Sequence, residues 1–308
     1  MSETRDTAGQ DSQGGESPNP VADPSATIRT DKPTLADRVT ASMASLSEAE
    51  RRAARALLAR YPTTGMETVA LFAERAKVSA PTILRFVAKL GFTGYADFRR
   101  ALREEMEAQA EYPLTRPHAD GKSAPFAGFA RSLVTTVENS LAMASPADIE
   151  RLTDLLIDER REIFLLGGDF TDPAARHLEF HLRKMRSRVR LFSAGLSRRA
   201  DELADLRKRD VVILFDIRRY QADTIRTAEI AKERGAVVAL FTDRWMSDVA
   251  QVADIVIRAQ VDLPSPWDSL IGLIALVETL ALSIDARQWP IGRARFETIE
   301  AVRTKLMP

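Results

Sequence analysis

The sequence predicts an α-helical helix-turn-helix domain followed by an α/β domain built on a five-stranded parallel sheet with helices on both faces. Three observations carry this. From Leu35 to Met106 the apolar residues recur at helical spacing. From Glu162 onward, five short apolar runs rich in β-branched and aromatic residues alternate with helical segments, as strands covered on both sides do. Between the halves, Pro113, Pro117, Gly121 and Pro125 break a stretch poor in apolar residues. A length of 308 residues suits two such domains.

Residues 1–36 are rich in Ser, Gly, Pro, Asp and Thr and are read as a disordered tail, because they bury too little apolar surface to offset ordering entropy. The helix-turn-helix domain then spans 37–111. Ser47 and Glu50 have capping-box spacing and open a helix over Glu48–Arg60, with Ala54, Leu57 and Leu58 on one face, ended by Pro62 and Gly65. A second helix covers about Thr68–Glu74, and Lys77-Val78 form a turn. Ser79 is expected to cap a third helix, Ala80–Leu90, whose Ile83, Val87 and Leu90 define a buried face. Gly91 suits a left-handed C-terminal cap, and a further helix runs over Tyr95–Ala110.

Residues 112–125 form an exposed linker, 126–290 the α/β domain and 291–308 a C-terminal tail. Helices are expected over Phe126–Met143 and Pro146–Glu159. The strands are Glu162–Leu166, Val189–Phe192, Val211–Phe215, Val237–Phe241 and Ile255–Ile257. Helices at Ala174–Met185, Ala222–Arg234 and Met246–Val252 separate them, and Leu270–Ile284 supplies a last core helix.

Lys+Arg and Asp+Glu are both 44, which excludes a uniformly basic coat for nucleic acid. Locally the sign changes: residues 40–106 carry 11 Lys/Arg against 7 Asp/Glu. The absence of Cys excludes disulfides and thiol chemistry, and three His leave little for metal binding; no metal and no cofactor is expected. No apolar run is long enough to span a bilayer and the N-terminus is unlike a signal peptide, so a cytoplasmic protein without membrane contact is expected.

Two regions carry chemistry. A helix of about ten residues after a tight turn can bury one face and offer the other to a DNA major groove. The outward candidates are Ser79, Pro81, Thr82, Arg85 and Lys89: hydroxyls for phosphates or bases, Arg85 for a guanine edge, Lys89 for phosphate. A packing bundle would show similar helices, and both readings stay open on pattern alone. In the α/β half, ligands bind beyond the carboxyl ends of the strands. Candidate ligand residues there are Gly167, Gly168, Thr171, Asp216, Arg218, Arg219, Tyr220, Gln221 and Thr224. The paired guanidiniums suit a phosphate or carboxylate, or else ion pairs with Asp216, Asp223 or a neighbouring subunit. Gly121-Lys122-Ser123 lacks the rest of a phosphate-binding loop. His177 and His181 have zinc-ligand spacing but no evident third ligand, and are read as solvated or interface residues. No catalytic residue is proposed.

The run KVSAPTILRFVAKLGFTGYADFRRAL over 77–102 resembles the recognition-helix signature of the RpiR/MurR family of bacterial regulators, through Thr82, Arg85, Phe86, Lys89, Leu90, Gly91, Phe92, Gly94 and Tyr95. Gly235, Thr242, Asp243, Ser247 and Ala253-Asp254 fall on positions of the SIS (sugar isomerase) domain that follows in that family, so the resemblance spans roughly residues 40–285. It implies a homo-oligomeric regulator, dimer or tetramer, that binds double-stranded DNA, with the SIS half pairing subunits and sensing a small anionic or sugar-like effector. The ligand loops depart from the family: Gly167-Gly168-Asp169-Phe170-Thr171 replaces G-x-G-x-S, and Asp216-Ile217-Arg218-Arg219-Tyr220-Gln221 replaces S-x-S-G-x-T. A ligand-blind pairing module and a sugar-phosphate isomerase are the alternatives.

Overall fold

A computed structural model describes residues 34–110 and 126–307. The expected tail (up to residue 33), the expected linker and Gly121-Lys122-Ser123 lie outside the described residues. The first helix, α1 (Leu35–Ser42), starts inside the segment expected to be disordered. Thr34 and Asp37 close a capping box that fixes this start: the Thr34 hydroxyl accepts from Asp37 N at 3.0 Å and Asp37 Oδ2 accepts from Thr34 N at 3.1 Å.

Five helices complete the first domain: α2 (Glu48–Ala59), α3 (Thr63–Met66), α4 (Val69–Ala76), α5 (Ala80–Lys89) and α6 (Tyr95–Ala110). The Ser47–Glu50 capping box forms as its spacing predicts. Leu57, Phe72, Ile83, Phe86, Val87, Leu90, Phe98 and Leu102 make one core. Gly91 takes φ +85°, the left-handed cap.

The second domain runs α7 (Phe126–Met143), α8 (Pro146–Ile157), β1 (Ile163–Gly167), α9 (Asp172–Met185), β2 (Val189–Leu191), α10 (Leu196–Ala204), β3 (Val211–Asp216), α11 (Ala222–Glu233), β4 (Val237–Asp243), β5 (Ile255–Ala259) and α12 (Ile271–Leu306). All pairings are parallel, in the order β2-β1-β3-β4-β5. Alternate strand residues face opposite layers, as the two-residue strand period requires. Ile163, Leu165, Val211, Ile213 and Phe215 pack with α8, α9 and α12. Phe164, Leu166, Val212 and Leu214 pack with α10 and α11. Both faces are therefore covered, as the continuous apolar runs predicted.

Three local features differ from expectation. Helix α10, which buries Arg199 and Leu203, stands where no element was expected. A single 3-10 turn, Asp248–Gln251, stands where a helix over Met246–Val252 was expected. The residues read as a C-terminal tail instead continue α12 to Leu306, beyond a kink at Gln288 (φ −134°, ψ 27°) that precedes Pro290. Proline there lacks the amide for the preceding turn and its ring crowds that turn's carbonyl, so the axis bends without stopping.

Two polar contacts tie distant parts together. The buried Arg186 guanidinium donates to the carbonyls of Leu156 (2.6 Å), Asp158 (3.1 Å), Ser187 (3.0 Å) and Arg161, closing the C-terminal end of α8. Asp37 of α1 forms an ion pair with Arg258 of β5, joining the two domains. Among the described residues no helix is long and apolar enough to cross a membrane.

Candidate functional site

The helix-turn-helix geometry is set by one residue. Lys77 ends α4 in the left-handed region (φ 51°), and Val78 N returns to Ala73 O at 2.9 Å, so the chain reverses within two residues and launches α5. Helix α5 buries Thr82, Ile83, Phe86 and Val87. Its exposed residues Pro81, Leu84, Arg85, Ala88 and Lys89 follow helical spacing and form one outward stripe. Phe86 anchors the inward face edge-on against Phe72, at 6.4 Å between ring centroids.

Of the five proposed DNA-facing residues, Ser79, Pro81, Arg85 and Lys89 are exposed. Ser79 occupies the cap position without making the expected bond to a backbone amide; its hydroxyl pairs with Thr82 Oγ1 at 2.9 Å. Thr82 is buried and also receives Arg85 Nη2 at 3.3 Å, so it orients Arg85 from below rather than reaching outward itself. Lys89 donates to Glu50 Oε2 at 2.7 Å. That bond is the main reason the Glu50 carboxyl is held down at about 2.

In the second domain, strand order reverses between β1 and β3, where an open parallel sheet leaves a crevice beyond its carboxyl edge. A cavity of about 240 Å³ lies there, between the loops that follow these two strands. Of the candidate ligand residues, Gly168, Thr171, Asp216, Arg218, Arg219 and Gln221 line it, whereas Gly167, Tyr220 and Thr224 do not. Gly167 has a steric role: a Cβ there would stand 2.4 Å from Asp172 Cα, so the strand can approach α9 only as glycine. Tyr220 donates to Asp243 Oδ1 at 2.8 Å, and Thr224 is buried.

The polar groups of the cavity are largely committed to one another. Thr171 Oγ1 donates to Phe215 O at 2.6 Å and accepts from Gly168 N at 2.8 Å. The Gln221 side chain lies over Gly168 so closely that a Cβ there would come within 2.3 Å of its Oε1. Arg218 is buried; its guanidinium pairs with Asp262 and, at 3.2 Å, with Asp268, and stacks 4.0 Å from the Trp245 ring. The alternative in which the arginines are held in ion pairs has Arg218 on Asp262 and Asp268, while Asp223 pairs with Arg199 at 2.8 Å. Asp216 accepts from Ser247 Oγ and, at 3.4 Å, from Gln221 N; burial nevertheless pushes its carboxyl up to about 6. Asp243 is also raised by burial, against hydrogen bonds from Arg218 N, Tyr220 and Trp245 N.

Sequence reasoning missed Trp267 and Asp268, which line the cavity from the loop before α12. Trp267 is 67% exposed. The available signal was a Trp set among Pro and Ser just before the last core helix.

Comparison with known proteins matches this architecture. Residues 34–109 match the helix-turn-helix domain of the rpiR family, and residues 155–283 match the SIS domain. The HTH-type transcriptional regulator HexR of Pseudomonas aeruginosa is 24% identical over 268 residues, covering 82% of this chain and 90% of that protein. The sugar isomerase domain of an RpiR transcription factor from Sphaerobacter thermophilus has a TM-score of 0.54 at 26% identity, covering 57% of this chain and 97% of that one. The Vibrio vulnificus NanR protein, solved complexed with ManNAc-6P, shares the fold over 89% of this chain and 99% of that one, with a TM-score of 0.51 at 18% identity. With the two domains in that order and a regulator matched along most of its length, the chain belongs to the RpiR family of transcriptional regulators.

Proposed function

We propose that this regulator binds double-stranded DNA sequence-specifically as a cytoplasmic homo-oligomer, with α5 in the major groove. The carrying observation is the outward stripe of α5, on which Arg85 is braced by Thr82 while the opposite face is locked into the core. Large apolar side chains left exposed on α7, α9 and α12, among them Phe126, Phe129, Phe180 and Leu282, support pairing between copies. A pair related by a two-fold axis would place two α5 helices on a pseudo-palindromic site. Sequencing the DNA fragments that co-purify with the protein tests this. A shared inverted repeat, lost with Arg85→Ala, is expected; an unbiased fragment pool would overturn it.

The strand-end cavity is proposed to sense a small sugar-like metabolite without a phosphate. Arg218 already faces two carboxylates, and Asp169, Asp216 and Asp268 add negative charge to the cavity wall. A phosphate entering there would meet these carboxylates and an Arg218 guanidinium already engaged, against which Arg219 is the other cation of the wall. Trp267 offers a stacking surface for a sugar or another flat polar ring. Thermal-shift screening should find stabilisation by neutral or amine-bearing sugars, about 2.7 kcal/mol at a hundredfold excess over Kd. Stabilisation by phosphosugars alone would refute the ligand class, and silence across the library would favour a pairing module without a ligand.

A further inference from the structure

The two histidines one helical turn apart on α9 acquire a third neighbour in the fold. His177 Nε2 shares a hydrogen bond of 2.6 Å with Glu278 Oε1, and His181 Nε2 lies 3.5 Å from the same oxygen. Glu278 belongs to α12, 101 positions further along the chain than His177, so no local spacing could reveal it. The donor atoms of all three side chains lie within 4.8 Å of one another. The two imidazoles meet edge to face, with centroids 4.8 Å apart.

We propose that His177, His181 and Glu278 form a binding site for a divalent transition ion of the zinc class. Two neutral imidazoles and one carboxylate are the donor set such ions select. Ligands at the usual zinc distances around a tetrahedral ion stand about 3.4 Å apart, which lies between the separations found here, so small rotamer shifts suffice. His181 Nε2 is shielded from solvent and lies 3.5 Å from the Glu278 carboxylate, outside good hydrogen-bond geometry, so the nitrogen sits within the cluster. The side chains remain a quarter to a half exposed, so a fourth coordination position stays open to water or another donor. The ion would clamp α9, whose start borders the strand-end cavity, to α12, whose preceding loop supplies Trp267 and Asp268. The site does not depend on the effector reading above.

The experiment uses the full chain, free of any affinity tag, stripped with chelator and titrated with zinc sulfate or cobalt chloride. One equivalent per chain and a rise in melting temperature are expected. The cobalt form should show the strong visible absorption of a tetrahedral N/O site. X-ray absorption at the zinc edge should show two imidazoles and no sulfur; with no Cys and only His118 besides, few other ligand sets could produce it. His177→Asn with His181→Asn should weaken binding at least a hundredfold, and Glu278→Gln at least tenfold. Absence of stoichiometric binding by the unaltered chain, or a zinc shell with fewer than two imidazoles, overturns the proposal even if the variants fail to fold.

Discussion

Lys89 on the outward face of α5 donates to Glu50, the residue that completes the capping box of α2. One side chain therefore touches both the solvent face of the recognition helix and the start of the helix behind it. Glu50 is pulled from 4.5 to about 2, first by this bond. A carboxyl depressed in the folded state adds stability above its unfolded value, and the gain is lost as pH falls through the folded value. Lys89→Ala is expected to destabilise the chain by about 1 kcal/mol at pH 7, with the gap narrowing once pH drops below 4.5. Urea denaturation at pH 7 and pH 3.5 checks it, and an unchanging gap would refute it.

Arg85 instead donates to a neutral partner, the Thr82 hydroxyl, at 3.3 Å. Arg85→Ala should remove about 1–3 kcal/mol of operator discrimination and leave the melting temperature unchanged. Fluorescence anisotropy with operator and scrambled duplexes separates this from Lys89→Ala, which should move both quantities.

Asp216 shifts the other way. Burial raises it from 3.8 to about 6, so the folded chain holds this proton more tightly than the unfolded chain does. Its contribution is most favourable below 3.8 and is lost as pH rises through about 6. Asp216→Asn keeps an oxygen for Ser247 and should stabilise the chain at pH 7.5 by up to about 3 kcal/mol. The advantage should vanish near pH 4. Equal stability of the two proteins at pH 7.5 would show that Asp216 is not held in this buried state.

Arg186 satisfies four backbone carbonyls from a buried position. Arg186→Met keeps the stem but removes every donor, and a loss of about 3 kcal/mol or more is expected. Calorimetry should show it in the melting of the α/β domain. A loss below about 1 kcal/mol would mean that water replaces the guanidinium readily.

Elements whose information is local were legible in the sequence. The Ser47–Glu50 box, Gly91 and the five apolar strands each announce themselves within a few residues. The same holds for the inward face of α5, through Ile83 and Val87. What stayed hidden depends on partners far along the chain. Arg218 looked available for an anion because Asp262 and Asp268 lie on another loop. Lys89 looked like a phosphate contact because Glu50 is 39 positions away.

The ion pair between Asp37 and Arg258 gives the reading head a mooring on the last strand of the sheet. A partly exposed link of this kind holds with only about 1 kcal/mol, so it can be cast off by a modest rearrangement or by raised ionic strength. A signal arriving at the sheet would then need no rigid lever to reach DNA. If two copies pair as proposed, loosening this tether would change how far apart the two heads can stand, and hence which half-site spacing they fit.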